Sequence, residues 1–256
     1  MKLHETEIIG RERFGNHTLL RYRWTGEPPE PGQFVMARTV KSAHSFNPFL
    51  SRPFFAHDYD DGAASLLFEI RGRGTTLLAE KDSVLLVSAP LGQGFTVENR
   101  GPVALVGGGV WVAPLKLLSR RLAEFGIPYD VFLEVASTAP KDYAGWISKN
   151  YPEAILVPTD GSPASSAQTV LECVGDLARY RALYTSGPVQ LLAAVKSASL
   201  GGTTSVQLAL RERMACANGS CYGCAVPIWE SEELTYARAC IEGPVFPAEV
   251  LGTLEQ

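Results

Sequence analysis

The stretch CANGSCYGC places three thiols, Cys216, Cys221 and Cys224, within nine residues, and Cys240 follows sixteen residues later. The rest of the chain holds one further cysteine, Cys173. Thiols gathered in this way point to metal binding. Zinc sites usually use two short C-x2–4-C turns, and only Cys221 and Cys224 form one. A [2Fe-2S] cluster needs four thiolates around two irons, and the plant-type pattern is C-x4-C-x2-C plus one distant cysteine. The first three spacings match that pattern directly. Gly219 and Gly223 permit unusual φ angles, while Ala217 and Ser220 add little bulk, so backbone N–H groups can reach the cluster sulfurs. Cys216, Cys221, Cys224 and Cys240 are therefore read as iron ligands. Zinc is the alternative, and redox or incidental cysteines the third reading. Cys173 falls on an apolar face of an expected helix and reads as an inert core residue.

Stable elements must hold that loop. From residue 1 to about 98, short apolar or alternating runs bounded by Gly, Pro and Asp clusters (18–24, 32–40, 64–72 and 82–90) read as strands of an antiparallel barrel. TTLLAEK (75–81) reads as a short helix across one mouth. At Gly101 the pattern changes. PVALV, three glycines and a helical run over 113–126, with Leu115, Leu118, Leu122 and Phe125 at helical spacing, open an alternation of strands and helices. Strands are expected at 129–135, 154–160 and 182–186, and helices at 141–150, 166–180 and 188–198. Such alternation implies a parallel sheet with helices on both faces. Three units follow: a barrel over 1–99, a Rossmann-like α/β unit over 100–202, and a small cysteine-bearing unit over 203–256.

The bulk properties exclude several classes. The chain has 256 residues, is 46% hydrophobic and 20% charged, and carries a net charge of −4. That balance argues against a nucleic-acid-binding coat. No apolar run approaches a membrane span, and the N-terminus lacks the apolar core of a secretory signal. A cytoplasmic protein is expected, where clustered thiols bind metal rather than form disulfides. His4, His17, His44 and His57 are scattered and read as surface or loop residues. Arg120 and Arg121 read as a solvated helix face.

Beyond the cysteines, PGQFV (31–35), RPFF (52–55), GRGTTLL (72–78), APLGQGF (89–95), GGGVWVAPL (107–115), TDGS (159–162), SGP (186–188), ERMACANGSCYGCAV (212–226) and CIEGPVF (240–246) occur in order over nearly the whole chain. In this the chain resembles the electron-transfer subunits of NAD-linked dihydroorotate dehydrogenases, within the ferredoxin-reductase superfamily. The resemblance implies a barrel that binds FAD, with Arg52 donating to the flavin diphosphate, and Pro53, Phe54 and Phe55 against the ring. It also implies Leu67, Phe68 and Glu69 along the flavin, and Gly74 and Thr75 at the phosphates. Phe55 stands where the family has Ser, and Glu69 where it commonly has Arg. The resemblance further implies NAD binding at Gly107, Gly108 and Gly109. There, however, Trp111 replaces a glycine of G-G-G-x-G-x-A-P, Ser186 replaces the Cys of C-G-P, and Pro163–Ala164 replace an aromatic–glycine step. With three departures in one pocket, NAD(H) binding is expected to be weakened or lost. The plainer reading of the glycines is a tight strand–helix turn.

The resemblance implies an oxidoreductase subunit in pyrimidine biosynthesis that relays electrons and has no catalytic acid or base of its own. Its partner would be an FMN-bearing catalytic subunit, in a heterotetramer. Electrons would pass through the [2Fe-2S] cluster and FAD to NAD+ or, with that site blocked, to another acceptor. Tyr222, Val226, Ile228 and Trp229 form a docking patch or pack around the cluster. The cysteine loop also occurs in subunits of hydrogenases, sulfide dehydrogenases and ferredoxin:NADP oxidoreductases, which remain alternatives. A zinc-stabilised binding module is the non-enzymatic alternative.

Overall fold

A computed structural model describes residues 1–80 and 82–254. The first half holds six strands: β1 (Leu3–Phe14), β2 (His17–Arg23), β3 (Phe34–Thr39), β4 (Arg52–Asp60), β5 (Ala63–Glu69) and β6 (Val84–Ser88). They close into an antiparallel barrel in the order β1-β2-β5-β4-β3-β6. Two of the six, β1 and β4, lie outside the four apolar runs of the sequence. Their patterns are blurred because both carry register shifts, between Ile8 and Gly10 and between Ala56 and Asp58, and a bulge breaks the two-residue alternation. A short helix α1 (Val40–Ala43) follows β3, and α2 (Arg73–Ala79) precedes β6. The expected helix over 75–81 thus begins two residues earlier, and Lys81 lies outside the described residues.

The second half contains β7 (Val103–Gly108), α3 (Ala113–Glu124), β8 (Tyr129–Ala136), α4 (Lys141–Asn150), β9 (Ile155–Thr159), α5 (Pro163–Val174), β10 (Ala182–Ser186), α6 (Val189–Ser199) and β11 (Ser205–Ala209). After these come the hairpin β12 (Ala225–Glu230) and β13 (Glu233–Arg238), and the short β14 (Val245–Pro247). One six-stranded sheet runs β14-β11-β10-β7-β8-β9, parallel except for β14. The sheet therefore extends past residue 202, because β11 and β14 both join it from the cysteine-bearing stretch. Residues 255 and 256 of that stretch lie outside the described residues.

The alternation of β7 explains the layers. Val103 and Leu105 pack with Leu115, Leu118 and Leu122 of α3 and with Tyr143, Trp146 and Ile147 of α4. Ala104 and Val106 face the other way, onto Val170 of α5 and Leu191 and Val195 of α6. Both faces are covered, so the strand reads as a continuous apolar run. Truncating a buried leucine such as Leu115 to alanine is expected to cost about 2–5 kcal/mol.

Barrel and sheet are joined by specific contacts. Phe14 at the end of β1 stacks on Trp146 of α4 at 4.6 Å. His57, the extra residue at the β4 bulge, is turned out of the barrel, and its Nδ1 lies 3.1 Å from the Ala113 carbonyl at the start of α3. Arg120 of α3 donates to Asp58 at 2.8 Å and to the Tyr59 carbonyl at 3.0 Å. These contacts correct three expectations. His17 and His57 are buried rather than superficial, and Arg120 ties α3 to the barrel instead of facing solvent. Phe125 also departs, exposed at the end of α3 while the three leucines are buried.

Candidate functional site: a cysteine loop beside a flavin-type cleft

The cysteine loop lies between β11 and β12. Ala217, Gly219 and Tyr222 all take positive φ, at 50°, 79° and 55°. Gly223 is not left-handed, contrary to its expected role, and two non-glycine residues bear that conformation instead. The result is a coil whose N–H groups turn inward. Gly223 N–H donates to Cys221 Sγ at 3.4 Å. The N–H groups of Asn218, Cys221 and Ser220 reach Cys216, and that of Gly219 reaches Cys240. These donors, with Asn218 foremost, draw the Cys216 thiol down to about 6 against the opposing effect of burial. Burial pushes Cys240 up to about 11, reinforced by the neighbouring Cys224.

Cys221 helps to lower the Cys216 pKa, and Cys224 and Cys216 help to raise that of Cys240, so the four thiols are electrostatic neighbours. Among the described residues, no three His, Cys, Asp or Glu side chains converge around one point. A single zinc ion calls for four ligands around one centre. A [2Fe-2S] cluster calls for two thiolates on each of two irons. Cys224 and Cys240 are buried, Cys216 is half-buried and Cys221 exposed. Cys173 is exposed, not a core residue.

Arg238 at the end of β13 fastens the loop. Its Nη1 donates to the Gly219 carbonyl at 3.4 Å, its guanidinium lies 5.3 Å from the Tyr222 ring centroid, and Glu242 pairs with it on the other side. Sequence reading did not single out Arg238, since its partners lie up to nineteen residues away.

The barrel presents a cleft of about 580 Å³, open to solvent. Pro53, Phe54 and Phe55 of β4, Leu67, Phe68 and Glu69 of β5, and Thr75 of α2 all line it. Phe54 and Phe68 approach to 5.2 Å between centroids. The Thr75 hydroxyl accepts from the N–H groups of Arg71 and Gly72 at 3.0 and 3.2 Å, which tightens the turn into α2. Glu69 accepts from Asn16 at 2.8 Å and pairs with Arg71. Arg52 and Gly74 sit together beyond these residues: a β-carbon at Gly74 would fall 2.2 Å from Arg52 Nε. The positive charge of Arg38 adds to desolvation in lowering the Arg52 pKa. Among the described residues, neither arginine has a carboxylate partner within ion-pair distance. Arg38 was missed by sequence reading. Two unneutralised guanidiniums and a glycine that leaves room for one of them form a cradle suited to a diphosphate.

The opposite wall of this cleft comes from the cysteine-bearing stretch. Leu210, Arg211, Glu212, Met214 and Pro244 line it, and Met214 and Pro244 flank Cys216 and Cys240 in sequence. Phe55 packs against the same apolar cluster that contains Cys224 and Cys240. Gln93, in the loop after β6, bridges to Pro244 and holds that wall against the barrel. The predicted flavin residues thus share one cleft with chain neighbours of the predicted metal ligands.

A second cleft, of about 1000 Å³, opens at the carboxyl ends of β7 and β10. The strand order reverses there, which is where open α/β sheets hold ligands. Gly108, Gly109 and Trp111 line it, with Pro163 and Pro188 opposite. Gly107 does not: a β-carbon there would meet Leu115 Cδ1 at 2.8 Å and the Ser186 carbonyl at 2.9 Å, so its small size serves packing. Trp111 and Glu69 line both clefts.

The expected docking residues split. On the β12–β13 hairpin, Pro227 pairs with Tyr236 and Trp229 with Leu234, and Trp229, Leu234 and Tyr236 are exposed. Val226 and Ala237, on the opposite face, are buried. Tyr222 is exposed as well.

A closed antiparallel barrel followed by this sheet has the ferredoxin-reductase-like fold. A chain of an NADH-dependent reduced ferredoxin–NADP oxidoreductase superposes with a TM-score of 0.75 at 21% identity, covering 96% of this chain and 89% of that one. The ferredoxin reductase of carbazole 1,9a-dioxygenase gives 0.59 at 17%, covering 80% and 68%. Residues 211–252 match the iron-sulfur cluster binding domain of dihydroorotate dehydrogenase B. The electron transfer subunit of dihydroorotate dehydrogenase B (NAD(+)) from Bacillus velezensis is 33% identical over 228 residues, 86% of each chain. That of Caldanaerobacter subterraneus subsp. tengcongensis is 29% identical over 251 residues, 96% of each. The chain belongs to this family of electron transfer subunits.

Proposed function

We propose that this chain relays electrons between a dihydroorotate-oxidising partner subunit and an acceptor, using a [2Fe-2S] cluster on Cys216, Cys221, Cys224 and Cys240 and FAD in the barrel cleft. The observation that carries the reading is the shared wall: residues on either side of the cysteine loop close the cleft that Pro53, Phe54, Phe55, Leu67 and Phe68 open. When bound, the flavin converts between one-electron and two-electron traffic and the cluster passes single electrons.

The chain's own residues bind and orient. Arg52, with Arg38 beside it, holds the diphosphate, and Gly74 leaves room for the guanidinium. Phe54 and Phe68 supply an apolar bed for the ring. Thr75 keeps the turn beneath it in place. The inward N–H groups of residues 218–223 stabilise negative charge on the sulfurs. Domain limits near 99 and 202 separate the flavin, nucleotide-like and cluster units, with β11 and β14 of the last completing the sheet of the second. The exposed face of Trp229, Leu234, Tyr236 and Tyr222 docks the partner, in a heterotetramer in the cytoplasm. Among the described residues, no helix is long and apolar enough to cross a membrane.

Metal and flavin analysis of the purified, anaerobically reconstituted chain tests the reading. Two irons, two acid-labile sulfides and one FAD per chain are expected, and dihydroorotate should reduce both centres once the partner is present. Zinc alone, or a colourless protein after reconstitution, would end it.

A further inference from the structure

We propose that the second cleft excludes nicotinamide dinucleotides, with Trp111 as the barrier and Glu134 as the repelling charge. This rests on the relay reading and deepens it, since the relay then exchanges electrons with a partner that carries no dinucleotide.

The barrier is positional. A nicotinamide must reach the flavin ring through the junction of the two clefts, and Trp111 stands at that junction. Its indole is held by Arg211, whose guanidinium lies 5.1 Å from the ring centroid. Swinging the indole aside therefore also breaks its cation–π contact.

The repulsion is at the glycine turn. Backbone N–H groups at such a turn attract a diphosphate, and a carboxylate close behind the turn opposes that attraction. Here Glu134 of β8 lies directly behind it: a β-carbon at Gly108 would fall 2.8 Å from Glu134 Oε2. Thr159 donates to the other carboxylate oxygen at 2.8 Å and fixes the group in place. The other ionisable residues lining the cleft are Glu69, Arg71, His17 and Tyr143, the last a phenol that burial keeps neutral. Arg71 is already paired with Glu69, and burial lowers the pKa of His17, favouring its neutral form. Glu69 and Glu134 outnumber Arg71, so the lining offers no net positive charge to a dinucleotide's two phosphates.

The test uses the full chain loaded with FAD and cluster. Calorimetric titration with NAD+ and with ADP-ribose, and anaerobic mixing with NADH, should show neither saturable binding in the millimolar range nor rapid flavin bleaching. Trp111→Gly combined with Glu134→Gln should tighten NAD+ binding by at least about tenfold. Micromolar binding by the unaltered chain, which needs no variant to be measured, overturns the proposal. So does a double variant that retains FAD and cluster yet gains no affinity. Failure of the relay reading looks different: FAD or cluster is then not taken up, or dithionite reduces one centre without the other.

Discussion

The Arg52 guanidinium occupies the volume that a side chain at Gly74 would need, with Nε 2.2 Å and Cζ 2.3 Å from the position of a β-carbon. Because the clash falls on the far end of a flexible side chain, Gly74→Ala should fold normally but displace the guanidinium. FAD affinity is expected to fall about tenfold or more, the range of a lost charge-assisted contact. Fluorescence titration of the apoprotein with FAD, alongside its thermal midpoint, measures both effects. Unchanged affinity would remove Arg52 from the diphosphate site.

Arg238 touches the cysteine loop at the Gly219 carbonyl and the Tyr222 ring, and is anchored by Glu242. Arg238→Ala should leave iron loading near normal while the cluster's visible absorbance bleaches several-fold faster under chelator or oxygen. Arg238→Lys keeps the charge but loses the planar fork, and should rescue only part of the lifetime. Equal bleaching rates in all three proteins would show that the loop holds itself.

The five cysteines should separate into four and one. Cys240→Ser is expected to abolish cluster assembly, because it removes one of the four thiolates the cluster needs. Cys173→Ser should change neither iron content nor spectrum, since Cys173 is exposed. In the loaded protein, maleimide labelling followed by mass spectrometry should find Cys173 alone. Labelling of Cys221 at the same rate would mean that it carries no metal.

His57 is buried against Ala113, and burial lowers its pKa from 6.5 to about 4. Between those values the unfolded chain holds more protons than the folded one, so stability rises with pH there. The contribution is fully present above about 6.5 and declines as pH falls towards about 4, by roughly 3 kcal/mol in total. Urea midpoints measured across this window should therefore drop steeply. His57→Asn keeps a donor for the Ala113 carbonyl and removes the titration, so its slope should be shallower. A residual slope is expected from His17, whose pKa is also lowered by burial.

The cysteine loop and the α/β half were largely legible in the sequence. Cysteine spacing is a local property of the chain, and it survives into the structure because one short coil carries three of the thiols. The periodicities of β7, α3, β8 and α4 were equally readable, since each element is long enough to show its repeat. Two barrel strands were not. β1 and β4 carry charges and bulges, and their burial depends on which strand lies alongside. Cys173 and His57 were misplaced for the same reason: a lone side chain's exposure is set by what packs over it.

By itself, the sequence determined the spacing of the clustered thiols, the glycine-rich turn, the alternation of strands and helices in the α/β half, and the departure at Trp111. The tertiary structure alone decided what those residues face. It brought Met214 and Pro244 to the flavin-type cleft, set Arg38 beside Arg52, closed Arg238 over the loop, and put Glu134 behind Gly108. Each of these pairs is joined by packing between elements distant in the chain, and no spacing rule along a strand or helix can encode a contact that depends on how the sheet and the barrel meet.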